Sequence, residues 1–301
     1  MRAHIAHDGL MPTSRSAIPL LIQALRDDTL AASEGASPFA RALIDGVRAV
    51  SVGQAFQGGY RAALQALVPS ERTALIALCV TEEKGQHPKH IETSLSFAGD
   101  ELHLHGAKKW AMDGEGTLLI VAKEEGSSEA RPTLRLVRVP TSATGLERIA
   151  MPPTRFIPDV PHTRLALDVT LPKSALLPGD GYADYVKPFR TLEDIHVHAS
   201  VMAYLLKQAK STVFARSLIE PGTSLLLSLE AHAHMPSPAL DVALTGTLAL
   251  VHRFFGEADS ALFQKDDEAS IGWQRDKAIL LLGAAAREAR ANNAWGLAAL
   301  K

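Results

Sequence analysis

One stretch constrains the chain more than any other: Ala74 to Gly114, reading ALIALCVTEEKGQHPKHIETSLSFAGDELHLHGAKKWAMDG. It opens on an apolar segment, Leu75 to Val80, too short for a stable helix and apolar enough for a buried strand. Thr81-Glu82-Glu83-Lys84-Gly85 breaks it, and Pro88 keeps the chain beyond it extended. Leu95 and Phe97 then alternate with polar neighbours, Gly99-Asp100 supplies a tight turn, and Leu102 and Leu104 alternate with His103 and His105. That is a hairpin by pattern and by turn chemistry. Gly106 turns the chain into Lys108-Lys109-Trp110. The spacing predicts antiparallel sheet whose loops present Thr81 and Trp110.

On either side the period is helical. Ile18, Leu21, Ile22 and Leu25, then Phe39, Leu43, Val47 and Val50, recur at helical spacing. Gly58-Gly59 lacks the G-x-G-x-x-G spacing of a phosphate loop and reads as close helix packing. After the hairpin, strands are predicted at Leu118 to Ala122, at Thr133 to Val139, and across Leu165, Leu167, Val169 and Leu171. In the last of these, Arg164, Asp168 and Thr170 face water. Past Gly179-Asp180-Gly181 a helical stripe begins, with Thr191 and Asp194 approximating a capping box. Pro221-Gly222 and Pro236-Pro238 punctuate the helices beyond that stripe. A last helix is expected from about Ser270 to Leu300, apolar almost all round like a bundle interior.

At 301 residues the chain can bury a substantial core. A net charge of -2 gives no sign of the basic balance that nucleic acid or an anionic membrane attracts. The single cysteine, Cys79, rules out an intrachain disulfide and a thiolate zinc cluster. The first residues have no apolar signal core, and no apolar run reaches the roughly 18–20 residues of a membrane span. The expectation is a soluble, cytoplasmic protein.

Together, Leu78-Cys79-Val80-Thr81-Glu82-Glu83-Lys84-Gly85, the Gly99-Asp100 hairpin, and His105-Gly106-Ala107-Lys108-Lys109-Trp110-Ala111-Met112 resemble the middle domain of the acyl-CoA dehydrogenase superfamily. The resemblance implies an α+β multidomain fold. A shortened N-terminal helical domain (1–73) precedes a middle antiparallel β-barrel or sandwich (74–183), and a C-terminal antiparallel helical bundle (184–301) closes the chain. It further implies FAD, an acyl-CoA or related small substrate, and a homo-oligomer, dimer or tetramer, formed through that bundle. Carried over residue by residue, Leu78, Val80, Thr81, Trp110, Ala111 and Met112 become flavin contacts. At Met112 the family usually has a hydroxyl, which a thioether cannot replace as a donor.

Glu193 falls where some branches of the family place the base that removes a substrate α-proton. Such a base needs a carboxylate whose pKa is lifted by a dry pocket. A glutamate in the first turn of a helix is instead favoured by the macrodipole, which lowers its pKa. The glycine- and arginine-rich elements that clasp the adenine-diphosphate half of FAD in the family have only faint echoes, at Arg216 and at Arg253-Phe254-Phe255-Gly256. That gap supports an alternative: a degenerate relative kept as a binding or assembly subunit, without flavin or catalysis. The twelve histidines do not make a metal site by spacing. His196/His198 and His232/His234 diverge on helices, and His103/His105 share a strand face without an obvious third ligand. His4/His7 and His87/His90 fall in segments read as loop.

Overall fold

A computed structural model describes residues 16–33, 35–71, 74–128, 131–234 and 240–297. Three helices come first: α1 (Ile18–Arg26), α2 (Pro38–Arg48) and α3 (Val52–Leu67). Ser37 and Ser51 end the preceding loops as N-caps, their hydroxyls accepting the N–H groups of Ala40 and Gln54. Phe39, Leu43, Ile44 and Val47 put the apolar face of α2 into the core.

Seven strands come next: β1 (Leu75–Cys79), β2 (Ser94–Ala98), β3 (Glu101–Met112), β4 (Thr117–Glu124), β5 (Leu134–Pro140), β6 (Leu146–Ala150) and β7 (His162–Pro172). They form one curled sheet in the order β1-β4-β2-β3-β7-β6, with β5 paired to β4. The hairpin is where the turn residues put it. Ala98 pairs with Glu101 across Gly99, whose φ of 59° needs no Cβ. Leu165, Leu167 and Val169 are buried while Arg164, Asp168 and Thr170 are exposed, as the alternation predicts.

The expectation of a wholly antiparallel sheet is corrected. Both β1 and β2 run parallel to β4. The apolar run Leu118-Leu119-Ile120-Val121-Ala122 of β4, buried throughout, allows it. Leu118, Ile120 and Ala122 enter the larger core, whereas Leu119 and Val121 enter a smaller one on the opposite face. A strand covered on both faces and paired on both edges suits parallel neighbours as well as antiparallel ones.

The C-terminal helices are α4 (Lys187–Ala209), α5 (Ala215–His234), α6 (Asp241–Leu262), α7 (Glu268–Asp276) and α8 (Ala284–Leu297). Three expectations change here. Thr191 does not start a helix. A π-helical turn over Gly181–Val186 runs directly into α4, and Asp180 caps it by accepting the N–H groups of Tyr182 and Ala183 at 2.9 and 2.6 Å. Pro221 does not end a helix but lies inside α5. Gly222 beside it packs closely enough that a Cβ would sit 2.8 Å from the end of the Leu206 side chain. The single helix expected over 270–300 is broken by a 3₁₀ turn, Lys277–Leu281, and by Gly283 at φ 81°. Its last part is no bundle interior either, since Ala294 is the one buried residue of α8. The Pro236-Pro238 punctuation and His4/His7 lie outside the described residues.

The centre of the helical part is α4, buried along most of its length. Two glycines bring the N-terminal helices onto it backbone against backbone. A Cβ on Gly46 of α2 would lie 2.1 Å from the Ser200 carbonyl oxygen, and one on Gly59 of α3 would lie 2.6 Å from that of His196. Close packing is therefore what Gly59 does. Both histidines of α4 turn inward, each donating Nδ1–H to the carbonyl one turn back, His196 to Leu192 (2.7 Å) and His198 to Asp194 (2.6 Å). No helix among the described residues is long and apolar enough to cross a membrane.

Candidate functional site

The site starts from a slip in the β3–β7 ladder between Lys108 and Ala111. Trp110 sits in that bulge at φ 60° and is half exposed, so it belongs to a distorted strand, not to a loop. Beneath it Lys108 is wholly buried, its Nζ donating to Glu82 Oε1 at 2.5 Å. Glu82 also accepts Thr93 Oγ1 (2.7 Å), Thr93 N–H (3.1 Å) and Glu92 N–H (2.6 Å). Four donors thus converge on one carboxylate. The network ties the polar loop after β1 to the strand that carries Trp110.

Above the bulge is a cavity of about 600 Å³. Phe56 and Tyr60 of α3, Trp110 and Met112 of β3, Ile157 and His162 make much of its wall. Tyr60 is fixed from two sides. Its hydroxyl accepts the Leu78 N–H at 3.1 Å, and its ring meets Phe189 edge-on at 5.1 Å. Ile157 has φ 46°, and its N–H is held by the fully buried Asp276 at 2.7 Å. Trp110 and Ile157 are the two non-glycine residues with positive φ among those described, and both line this one cavity. For a β-branched residue that conformation is costly, and such strain collects at functional sites.

Glu193 faces a second, smaller cavity of about 240 Å³, which shares Phe56, Ile279 and Leu282 with the first. Its pKa is raised from 4.5 to about 7, first by burial and then by the neighbouring Asp194, against the pull of Arg190 and Arg287. The macrodipole does not lower it, because α4 and its π-helical entry begin well before residue 193. Asp194 explains the rest. It takes Arg287 on one oxygen (2.8 Å) and Arg290 on the other (2.7 Å). Glu193 is left with no side-chain hydrogen bond among the described residues. The same closeness appears at Tyr60, whose hydroxyl is pushed up by burial and by Glu193.

The structure separates the six expected flavin contacts. Trp110 and Met112 line the larger cavity, Leu78 positions Tyr60, and Ala111 is buried. Val80 packs in the smaller core, and Thr81 stands outside the cavity wall, its carbonyl accepting the Lys109 N–H at 2.8 Å. Phe56, Tyr60, Ile157, Asp276 and His162 are not singled out by the sequence. Gly58-Gly59 is the available signal for Tyr60, and the proline-rich 152–161 segment is the signal for Ile157. The wall fits the ring of a flavin. It offers an exposed indole at one side and, at another, the buried Nδ1 of His162, which has no partner. For phosphate it offers Arg155 alone among the described residues. Elsewhere, His103 does find a carboxylate, Asp168 on the neighbouring strand at 2.9 Å. No group of three or more metal-holding side chains occurs among the described residues.

No protein-family model matches the chain, and no curated protein sequence matches it. Solved structures do. The butyryl-CoA dehydrogenase of Megasphaera elsdenii superposes with a TM-score of 0.66 at 13% identity, covering 95% of this chain and 89% of that one. A glutaryl-CoA dehydrogenase from Mycobacterium smegmatis, solved with FADH2, gives 0.62 at 11% identity over 92% and 85% of the two chains. A structure described as an FAD-dependent dehydrogenase gives 0.66 at 14% identity and covers 100% of each. At these identities the likeness establishes the fold. The chain has the fold of the acyl-CoA dehydrogenases, the proteins its sequence resembles.

Proposed function

We propose that this protein is an FAD-dependent oxidoreductase acting on an acyl-CoA or related acyl substrate, with Glu193 as the base that removes the α-proton. One observation carries the reading. A carboxylate with its pKa raised to about 7 stands at a cavity that shares three residues with the strained cavity of Trp110. At neutral pH such a group exists partly as carboxylate, and it is basic enough to take a proton that an ordinary glutamate would leave. Flavin, when bound, supplies the acceptor for the hydride.

The chain's own residues do the remaining work. Trp110 and Met112 wall the ring site, Tyr60 closes it toward α3, and His162 offers a polar atom. Phe56 and the buried Ile279, with the more exposed Leu282 at the edge, line the ground between the ring site and Glu193, and burial of the carboxyl sustains the raised pKa. Asp194 takes Arg287 and Arg290 as its own ion pairs, so neither donates a hydrogen bond to the base, and the remaining pull of Arg190 and Arg287 is outweighed by burial and by the Asp194 charge.

Glu193→Gln keeps the shape and removes the basic oxygen. Substrate-dependent bleaching of bound flavin should fall by about 10²–10⁴-fold, with flavin content unchanged. Turnover at the wild-type rate in that variant would remove Glu193 from the chemistry. A second reading is favoured by the poverty of phosphate ligands at the ring cavity: a flavin-free binding or assembly subunit on the same fold. Protein purified without added cofactor and colourless after incubation with FAD would establish it.

A further inference from the structure

A larger cavity of about 670 Å³ lies across α4 from Glu193 and meets the Glu193 cavity at Arg190 and Ala286. Arg190 borders both cavities, and the other α4 residues divide between them. Glu193, Asp194, Val197 and His198 look onto the small cavity beside the ring site, whereas Lys187, Thr191, Leu192 and Ile195 look onto this one. Its far walls come from Ala66 of α3, Leu244 of α6 and Ala294 of α8.

The lining has a distinct chemistry. Its body is aliphatic, built from leucine, isoleucine and alanine side chains. At one side Lys187 and Arg190 both stand over the Tyr182 ring, at 5.7 and 5.9 Å from its centre. Arg290 gives one nitrogen to Thr191 and another to Asp194, and its buried Nε has no acceptor. Asp241 is the one acid in the lining, close to His232 and Arg290. A concave apolar site with a few polar groups is the ordinary form of a small-molecule pocket. Here the charged groups are three cations, Lys187, Arg190 and Arg290, against the single acid Asp241, and one buried donor is unmet.

We infer that this cavity binds an amphiphilic anion: a linear alkyl chain against Leu192, Ile195 and Leu244, with its carboxylate or phosphate head at Lys187 and Arg190. The site uses neither flavin nor Glu193, so it stands whether or not the proposed reaction does. The aliphatic wall recognises the chain through area removed from water. The two cations supply charge-assisted hydrogen bonds to the head, which a neutral alcohol cannot accept with the same strength.

The test is calorimetric titration of the full-length protein with dodecanoate, dodecyl phosphate and dodecanol, each below its micelle-forming concentration. Expected is one bound dodecanoate or dodecyl phosphate per chain, with dodecanol at least about tenfold weaker. The stronger of the two anions identifies the head group. Lys187→Gln should weaken the anions by about tenfold and leave dodecanol unchanged. Ala66→Trp and Ala289→Trp fill the cavity from two different helices, and each should abolish binding while melting cooperatively. Having both keeps the result readable if one fails to fold. The inference is overturned if neither anion binds the folded wild type, if both filled variants bind as wild type does, or if dodecanol matches dodecanoate.

Discussion

Two carboxylates, Glu82 and Glu193, are both largely withdrawn from solvent, yet the protein treats them in opposite ways. Glu82, just past β1, is saturated: a buried ammonium, a hydroxyl and two backbone N–H groups converge on it. Glu193, on α4, has nothing of the kind, and Asp194 beside it takes Arg287 and Arg290 on its own oxygens. The first arrangement fixes a strand. The second leaves a base unspent. Burial alone therefore says little about what an acid does; the donors aimed at it decide.

The comparison breaks most visibly at Glu82. Glu82→Ala leaves the Lys108 charge buried and unpaired, and the expected loss is about 3–5 kcal/mol in denaturant unfolding. Replacing the pair together, as Glu82→Leu with Lys108→Met, should recover most of it, since a buried ion pair is often no better than apolar residues of the same volume. A single replacement costing less than about 1 kcal/mol would show that the four donors do not close on Glu82.

Glu193→Gln should do the reverse and stabilise, in a pH-dependent manner. Below pH 4.5 the glutamate is protonated in both folded and unfolded chains, and the variant gains nothing. As pH climbs, the unfolded carboxyl ionises first while the folded one holds its proton to about 7. The wild type loses stability across that window and glutamine does not. The gain should reach at most about 3 kcal/mol by pH 8, read as the difference between melting curves of the two proteins at pH 4 and pH 8. A gain equal at both pH values would mean that the carboxyl is not held protonated.

Trp110→Ala should cost less than the roughly 3–5 kcal/mol of a buried aromatic truncation, because the indole is half exposed. Its main effect should fall on flavin, with weaker binding and a shifted visible band. The smallest effect tests the role of Asp194. In Asp194→Asn a repelling charge disappears and Arg287 and Arg290 are released, so the Glu193 pKa should fall from about 7 toward its ordinary value. Carboxyl resonances tracked through a pH titration would show it, and an unmoved pKa would leave burial as the whole cause.

How much of this can be read from the chain depends on whether the signal is local. The Gly99-Asp100 turn, the alternation of Leu165, Leu167 and Val169, and the close-packing role of Gly59 are short-range patterns, and each is legible. The parallel pairing of β1 with β4 is not, because an apolar run records burial and not the direction of its neighbour. The start of α4 is misplaced because Thr191 looks like a cap in isolation, while Asp180 performs that role from outside the first turn. At the site, Trp110 is found by its place in a motif. Its left-handed backbone and its companion Ile157 are consequences of the β3–β7 slip and of Asp276, more than a hundred residues away. The partnerless state of Glu193 depends on Arg287 and Arg290 arriving from the last helix, and nothing in the residues around position 193 announces it.

The glycines that seat α2 and α3 on α4 have a consequence for what this scaffold can become. With main chain touching main chain at Gly46 and Gly59, α4 has no slack to slide or turn, and the base it carries keeps one address. The wall at 152–157 is bound by no such contact, and most of its side chains reach solvent. Drift in what the site accepts has one inexpensive route, through that wall, while the helices opposite it stay as they are.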